Sequence, residues 1–504
     1  MLVRNSAAVL RDLCWRSPSG QTALKRASPA RCYDLSRRRF SASGPRWIKT
    51  ADMKESDLAA VKVDGRRLMD TLHHTCRFGT GLRWGRQAFH FFKPTETGMS
   101  RLALSDTDKQ ARDWFVETTK SLGCSVTVDA MGNTFAVRPG RRSDVAPIFA
   151  GSHLDTQPAA GRYDGILGIQ AGVEMLNLLR DHQVETEHPI GVVNWTNEEG
   201  ARFPMSMSSS GVWAEDIPLE RAHNLQEVGG GTATMRSELE RIGYLGDIPA
   251  SYRSTPMAAH FELHIEQGPI LEAQQQKIGV VQGVQAYKWF TIDVEGRGTT
   301  PFSARADALL LASQLITHSN RVAAKHSALA STGILTLSPG SVNTVPGHVR
   351  FSLDVRAAAD SAVEAVESEL KRDFEVLARR GSIDGDGGPS PQSQREGLPL
   401  SVTWKTDFES PAVLFHQDCI SAVRAAAKSV LGDEQLFRDM TSGAGHDSVY
   451  ASKRCPTSMI FVPSKNGVSH HPEEWTSPED CALGAEVLCQ SVMRYDRTMA
   501  VKSL

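Results

Sequence analysis

Between residues 134 and 197 the chain contains three short runs of apolar residues and one longer amphipathic segment. Three runs, at 134–137, 146–154 and 190–197, have the length and composition of buried strands. Residues 165–182, between the last two runs, carry apolar residues at helical spacing. This order is typical of βαβ units, and it predicts an α/β domain with a largely parallel sheet covered by helices.

Two stretches upstream of these runs have helical patterns. One covers residues 58–92 and the other residues 106–123. The second begins "SDTDKQARDWF", with Ser105 as its N-cap and acids in the first turn. We therefore predict two helices before the first strand of the sheet.

From about Gly283 the pattern changes to that of an α+β unit. Strands and helices are predicted in the order strand 286–296, helix 306–325, strands 333–341 and 348–357, helix 361–380 and strand 400–406. Gly, Pro and Ser residues at 381–397 predict a long loop. We therefore expect a compact insertion, 284–409, within a larger domain formed by 55–283 and 410–500.

Composition and charge exclude several classes of protein. The 504 residues are 40% hydrophobic and 23% charged with a net charge of −2, as in soluble globular proteins of two or more domains. Neither nucleic acid nor a membrane is expected as a partner, because no basic excess and no apolar run of ~18–20 residues occurs. The 8 cysteines are scattered without a CxxC motif, which indicates a reducing compartment.

Residues 1–50 form a basic tail. They hold 11 Lys or Arg and two acids, a net charge of +9. An Arg- and Ser-rich, acid-poor start is typical of a mitochondrial transit peptide, and "RRRFSAS" at 37–43 resembles a matrix-protease cleavage neighbourhood. A disordered basic tail, or a start codon upstream of a cytoplasmic protein, has the same composition. We expect the mitochondrial matrix, with the cytoplasm as the alternative.

The segment "GSHLDTQPAAGRYDGILG" (151–168) is the most informative for chemistry. His153 and Asp155 form an H-x-D at a strand end, and Asp164 precedes a helix. Imidazole and carboxylate are the usual ligands of a hydrolytic zinc, and the Asp155 carboxylate would orient the His153 ring. A structural histidine and a helix-capping aspartate explain the same letters.

More acids and histidines follow the next predicted strands. Glu198 and Glu199 end one strand and point to opposite sides, so that one can bind a cation while the other acts as a general base. His264 lies in "HFELHIEQG" and His470 in "GVSHHPEEW". Together with the preceding segment, these residues suffice for two divalent ions that share one carboxylate. A surface acid pair is the alternative interpretation of Glu198 and Glu199.

Two side chains of the predicted insertion are suited to an anionic substrate. Asn343 follows a strand in "NTVPG", and Arg356 lies in "LDVR" on the next strand. Arginine binds a carboxylate through two parallel hydrogen bonds, although a cross-strand ion pair also explains Arg356. The Gly-rich turn at 441–448 offers backbone amides to an anion, or is only a flexible loop.

The order of these motifs resembles a known family. H-x-D, YDG, EEGARF, HIEQG, NTVPG, DVR, GAGHDS and SHxPEE follow one another as in the di-zinc aminoacylase/carboxypeptidase clan. The resemblance is to its hydantoinase/carbamoylase branch, which includes N-carbamoyl-L-amino-acid hydrolase, yeast-type β-ureidopropionase and allantoate amidohydrolase. It extends from about Gly98 to Cys489.

The resemblance implies a fold and a set of roles. The fold is an α/β, di-zinc aminopeptidase-like catalytic domain with an inserted α+β (ferredoxin-like) lid that forms a homodimer interface and closes over a small substrate. Two divalent ions, Zn²⁺ or alternatively Mn²⁺, would be bound. Glu198 would take a proton from a water between the metals and deliver it to the leaving nitrogen. The resemblance also implies that His153 and His264 bind one metal, that Glu199 and His470 bind the other, and that Asp164 bridges the two. Substrate binding would fall to Gln267, Asn343 and Arg356.

Two positions depart from the family pattern. His471 follows His470 where relatives commonly have Ser or Asn, so either histidine could be the ligand; the motif favours His470. In this chain Arg297 alone joins Gly296 to Gly298. Relatives have about four more residues at this turn, including a histidine that stabilises the oxyanion. The chain is therefore either a gene-model or splice variant or a protein of weak or altered activity.

The sequence thus predicts a metal-dependent hydrolase of the C–N bond of N-carbamoyl amino acids or related ureido acids. An aminoacylase or dipeptidase of the same clan is one alternative. A low-activity or inactive homologue that only binds a small acid is another, because of the short turn at Gly296–Gly298.

Overall fold

Two large β-sheets organise the part of the chain that the computed structural model describes, residues 47–83, 97–298, 305–380 and 400–502. Met1–Arg46 are a separate unit from Trp47–Leu504. The predicted transit peptide and the 381–397 loop therefore lie outside the described residues. Residues 47–50, grouped above with the basic tail, belong to the fold: Ile48–Lys49 pair with Val184–Glu185, and the Thr50 hydroxyl donates to Asp496.

The strands are β1 (Ile48–Lys49), β2 (Thr80–Arg83), β3 (Thr97–Met99), β4 (Ser125–Val128), β5 (Thr134–Arg138), β6 (Ile148–His153), β7 (Val184–Glu185), β8 (Ile190–Trp195), β9 (Ala259–Ile265), β10 (Ile278–Val284), β11 (Ala286–Glu295), β12 (Leu329–Ser331), β13 (Leu335–Ser338), β14 (His348–Ala357), β15 (Ser401–Ser410), β16 (Val413–Leu414), β17 (Phe437–Ser442) and β18 (Thr457–Val462). The helices are α1 (Glu55–Ala59), α2 (Gly65–Thr75), α3 (Asp106–Ser121), α4 (Ile166–Asp181), α5 (Ser208–Trp213), α6 (Leu219–His223), α7 (Met235–Ile242), α8 (Ile270–Ala273), α9 (Ala308–Lys325), α10 (Asp360–Arg380), α11 (Gln417–Leu431), α12 (Asp447–Ala451) and α13 (Pro478–Lys502).

The larger sheet has nine strands in the order β16-β10-β18-β9-β6-β8-β5-β4, with β17 paired to β10. Its centre, β18-β9-β6-β8, is parallel, and every residue of these four strands is buried. The sheet edges contain antiparallel pairs. The predicted α/β class is confirmed, but the sheet is mixed, because buried strands have the same apolar pattern in either direction.

Helices α4, α11 and α13 pack against the larger sheet. Helix α4 approaches closely at Gly168, where an added Cβ would lie 2.6 Å from the Leu263 carbonyl oxygen. The predicted helix at 106–123 is confirmed as α3, with the Ser105 hydroxyl accepting the Asp108 N–H. None of the helices in the described ranges is both long and apolar enough to cross a bilayer.

The predicted helix over residues 58–92 is wrong. It is broken into α1 and α2 and ends at Thr75, and β2 follows. The buried Arg101 guanidinium donates to the carbonyls of Thr75 and Phe78, which ends the helix, and Gly79 turns the chain at φ +84°. Residues 84–96 lie outside the described residues.

The smaller sheet is antiparallel, in the order β12-β14-β11-β15 with β13 paired to β14. Helices α9 and α10 pack on it, and apolar residues alternate along β11 and β14 so that one face forms a separate core. Helix α9 begins at Ala308 rather than the predicted 306, because Ala306 exchanges backbone hydrogen bonds with Arg297 and Asp307 caps the helix.

Candidate metal centre

The carboxyl ends of the central parallel strands bring the predicted ligands together. His153 ends β6, His264 lies near the end of β9, and Glu198 and Glu199 follow β8. Asp164 lies two residues before α4 and faces the same edge, where open α/β sheets place their sites. The turn requires glycine next to it, since Gly165 has φ +66° and an added Cβ would lie 2.3 Å from the His153 ring.

Asp164 lies between two groups of possible ligands. His153, Asp164 and His264 form one group, and Asp164, Glu199 and His470 form the other; within each, the ligand atoms lie within 4.8 Å of one another. Asp164 Oδ1 is 3.0 Å from His264 Nε2 and 3.6 Å from His153 Nε2. Asp164 Oδ2 and Glu199 Oε2 are each 3.3 Å from His470 Nε2. The arrangement matches two cation positions that share one carboxylate.

The donor atoms fit divalent cations. Glu199 Oε1 is buried without a hydrogen-bond partner, which costs free energy unless a cation or another group binds it. The Nδ1 atoms of His153 and His264 lie 2.9 Å from the backbone carbonyls of Asp155 and Ile265. A carbonyl only accepts, so each Nδ1 carries a hydrogen, and each Nε2 is directed toward the centre.

The predicted role of the Asp155 carboxylate is wrong. The His153 ring is oriented by the Asp155 backbone carbonyl, whereas the carboxylate accepts the backbone N–H groups of Glu198 (3.3 Å) and Glu199 (3.2 Å). The side chain turns toward the next strand because those two N–H groups follow the end of β8 and need an acceptor. Asp155 therefore positions the acid pair rather than the imidazole.

The centre concentrates negative charge in a buried volume. Burial, with the nearby Asp447 carboxylate, raises the pKa of Glu198 well above its usual range. Burial and the Asp164 charge raise the pKa of Glu199 to about 7. Burial alone would raise the pKa of Asp164, but the facing histidines hold it well below its usual value. A charge distribution of this kind favours cation binding.

Two polar residues that sequence reasoning missed support the ligands. The buried Glu474 carboxylate accepts the backbone N–H groups of Tyr163 (2.9 Å) and Asp164 (3.0 Å) and so fixes the loop that carries Asp164. Gln157 Nε2 donates to Glu199 Oε2 at 2.7 Å. Glu474 lies in the SHxPEE motif and Gln157 in the 151–168 segment, but a glutamate or a glutamine in a loop does not by itself predict a contact with a metal ligand.

A cavity of about 200 Å³ opens onto the ligands. Of the three predicted substrate residues, Gln267 and Arg356 line it and Asn343 does not. Asn343 is exposed, and its side chain accepts the Ser341 hydroxyl. Gln267 Nε2 donates to Asp164 Oδ2 at 2.9 Å and thus contacts the shared carboxylate. The cavity walls also include Gln157, Glu198, Met207, Tyr287, Trp289, Ala444, Gly445 and His446.

The Gly-rich turn at 441–448 contributes a histidine to the centre. The His446 ring lies 4.5 Å from the His264 ring, and His446, Glu262 and His264 form a third cluster of possible ligands. Both Glu262 oxygens already accept hydroxyl hydrogens, from Ser152 at 2.9 Å and Ser448 at 2.7 Å. The third cluster is therefore less suited to a cation than the first two.

The short turn at Gly296–Gly298 is part of the smaller sheet unit. Arg297 forms an antiparallel bridge with Ala306. Both glycines approach backbone closely, because an added Cβ would lie 2.2 Å from the carbonyl oxygen of Ala306 at Gly296 and 2.2 Å from that of Val345 at Gly298. Residues 299–304 lie outside the described residues.

Comparisons with known proteins agree with this geometry. Residues 149–494 match the profile of Peptidase family M20/M25/M40. N-carbamoyl-L-amino-acid amidohydrolase of Rhizobium meliloti is 35% identical over 438 residues, 86% of this chain and 96% of that protein. The enzyme of that function from Geobacillus stearothermophilus is 33% identical over 407 residues, 79% and 94% of the two chains. The crystal structure of an amidase of the hydantoinase/carbamoylase family from Burkholderia multivorans has a TM-score of 0.75 at 39% identity and covers 87% of this chain and 99% of its own. These matches confirm the resemblance that the motifs predict.

Proposed function

Because the chain belongs to Peptidase family M20/M25/M40, we propose that it is a metal-dependent amidohydrolase that cleaves the C–N bond between the carbamoyl carbon and the amino nitrogen of N-carbamoyl amino acids. The observation that carries the proposal is a carboxylate, Asp164, shared by two ligand groups beside Glu198. The similarity to N-carbamoyl-L-amino-acid amidohydrolases over most of the chain supports the substrate class.

The donor set indicates two divalent ions. His153 and His264 would hold one, Glu199 and His470 the other, and Asp164 both. Imidazole nitrogens and carboxylate oxygens suit Zn²⁺, and Mn²⁺ is the alternative. Bound there, the ions would polarise the scissile carbonyl and acidify water.

Glu198 is the general base in this proposal. Its carboxyl lines the cavity, and Oε2 lies 3.6 Å from His153 Nε2. Glu198 takes a proton from the attacking water, whose oxygen bonds to the carbamoyl carbon, and delivers it to the leaving amino nitrogen as the C–N bond breaks. The amino acid is released with carbamic acid, which decomposes to CO₂ and ammonia. Asp155 holds the backbone of Glu198 in place for this step.

The smaller sheet unit supplies substrate recognition in this proposal. Arg356 would bind the substrate carboxylate; its guanidinium is held by Asp354 (Nη2 to Oδ2, 2.8 Å) and by the Gly443 carbonyl (Nη1 to O, 2.7 Å). Asn343, which is exposed, would reach the cavity only if this unit closed as a lid.

We also propose that the smaller sheet unit forms a homodimer interface. Apolar side chains are exposed along its edge strands and the following loop, which favours a protein partner. These side chains are Leu329, Ile334, Leu335, Leu337 and Val342. Sedimentation of the wild type and of Leu335→Asp should show a dimer and a monomer, respectively; a monomeric wild type would refute this interface.

The N-terminal charge pattern supports import into mitochondria as a further proposal. Residues 1–46, fused to a fluorescent reporter, should direct the reporter to the matrix. A diffuse cytoplasmic reporter would favour the alternative of a cytoplasmic protein with a basic tail.

The proposed reaction is tested by ammonia release from N-carbamoyl amino acids after reconstitution with Zn²⁺ or Mn²⁺. Glu198→Gln should retain the metals and lose activity. If only N-acetyl amino acids or dipeptides are hydrolysed, the chain is an aminoacylase or dipeptidase of the same clan. If ligands bind without any turnover, the short turn at Gly296–Gly298 marks a binding homologue.

A further inference from the structure

The open face of the smaller sheet ends in a group of aromatic side chains beside the metal centre. Tyr287 on β11 pairs in register with Arg356 on β14, and Trp289 pairs with Phe408 on β15. Alternation along β11 places Phe290, Ile292 and Val294 in the core under the helices, so Tyr287 and Trp289 face away from that core.

These aromatic rings form a continuous wall. The Tyr287 and Phe408 rings stack at 5.6 Å, and the Trp289 ring lies 5.3 Å from Phe408 and 5.6 Å from Tyr287. The Arg356 guanidinium lies 5.2 Å from the centre of the Tyr287 ring. The rings therefore pack against one another and lie directly beside the arginine.

The wall is part of the cavity and is not fully covered. Tyr287 and Trp289 both line the cavity, yet Trp289 is 39% exposed. Met207, Ala444 and Gly445 line the same cavity. Gly445 keeps the space open, because a Cβ there would lie 2.8 Å from Met207 Cε and 3.3 Å from the Tyr287 hydroxyl. A large aromatic surface in a polar, metal-binding cavity offers burial to an apolar group of a ligand.

The chemistry of an α-amino acid connects this wall to the substrate. The carboxylate and the side chain are attached to the same carbon, so a carboxylate bound at Arg356 places the side chain two bonds away, next to Tyr287 and Trp289. A glycine derivative has no side chain there. In a β-amino acid derivative, an additional methylene separates the carboxylate from the amide nitrogen.

We propose that Tyr287 and Trp289 form the side-chain subsite and select N-carbamoyl α-amino acids with aromatic or large apolar side chains over N-carbamoylglycine and N-carbamoyl-β-alanine. This inference rests on the proposed function. Trp289 provides the contact that can be removed without opening the core, since it is partly exposed.

The test compares kcat/KM for N-carbamoylphenylalanine, N-carbamoylglycine and N-carbamoyl-β-alanine. We expect the wild type to prefer the phenylalanine derivative by about tenfold or more, and Trp289→Ala to remove about tenfold from that substrate while leaving the glycine derivative nearly unchanged. Thr291→Ala is the matched control, because Thr291 is the next residue on the same face of β11 and does not line the cavity. Thermal unfolding of both variants checks that the fold is retained.

Failure of this inference differs from failure of the proposed function. Equal kcat/KM for the phenylalanine and glycine derivatives, or an equal loss of both in Trp289→Ala, would overturn the aromatic subsite and leave the reaction intact. If the wild type hydrolyses no N-carbamoyl amino acid, the proposed function fails. Calorimetry then tests the subsite without turnover, by measuring the affinities of Glu198→Gln and of Glu198→Gln with Trp289→Ala for the phenylalanine and glycine derivatives. Tighter binding of the phenylalanine derivative that is lost with Trp289 supports the subsite. Equal affinities of Glu198→Gln for the two derivatives refute it.

Discussion

Affinity for the ion held by Glu199 and His470 is expected to rise with pH between 6 and 8, because both of these proposed ligands hold protons in the metal-free protein. The hydrogen bond with Asp164 raises the pKa of His470 to about 9. Burial raises the pKa of Glu199 to about 7. A cation must displace both protons, since only the neutral imidazole and the ionised carboxylate can act as ligands.

The size of the effect follows from these two pKa values. Below the pKa of a ligand, the apparent dissociation constant changes about tenfold per pH unit. From pH 6 to pH 8 this amounts to roughly 100-fold for His470 and roughly tenfold for Glu199. The His470 side chain is 47% exposed, so solvent screening weakens its share, and we expect affinity to rise by about 10- to 1,000-fold.

The measurement is Zn²⁺ affinity by competition with a chromogenic chelator at pH 6, 7 and 8. His470→Ala should weaken binding of one ion and flatten the pH dependence. His471→Ala should do neither, because His471 is exposed and its Nδ1 accepts the Glu473 N–H. An affinity that does not change with pH, or equal effects of the two substitutions, would refute this account of the ligands.

Three other changes test the catalytic group, the scaffold and the short turn. Glu198→Gln should lower kcat about 10²–10⁴-fold with full metal content, and an unchanged kcat would exclude it as the base. Arg112→Met breaks the fully buried ion pair with Asp108 and should lower the free energy of unfolding, measured by urea denaturation, by about 3–5 kcal/mol. The control is Lys109→Met, which breaks an exposed ion pair on the same helix and should lower it by under about 1 kcal/mol. Extending Gly296–Gly298 by four residues that include a histidine should raise turnover about 10²–10³-fold, and no gain would contradict the missing-segment account.

The sequence predicts the ligands that follow strands better than those in loops. His153, Glu198 and His264 meet because the carboxyl ends of neighbouring parallel strands share one edge, which apolar runs indicate without any contact information. His470 lies in a loop, and only the order of motifs connects it to the centre. The side chains of Gln267 and Ser469 also contact Asp164 Oδ2, each at 2.9 Å, so this part of the centre is assembled from loops.

The sequence does not show which groups a side chain contacts. A carboxylate placed near a histidine in sequence has several possible donors, and Asp155 binds the nearest unpaired backbone N–H groups instead of the ring. Alternation along β11 shows which residues share a face, but not that Trp289 faces a cavity. Asn343 could not be placed, since its position relative to the cavity depends on how the smaller sheet unit is oriented.

The geometry of the centre depends on backbone groups more than on its metal-facing side chains. Glu474 fixes the backbone at Asp164, Asp155 fixes that at Glu198 and Glu199, and carbonyls set both ring tautomers. Substitution of Glu474 by alanine would remove the oxygen, Oε1, that accepts both the Tyr163 and the Asp164 N–H. The effect would therefore reach the shared carboxylate first, and metal affinity should fall before the fold is lost, because the four central strands of the sheet remain buried and paired without it.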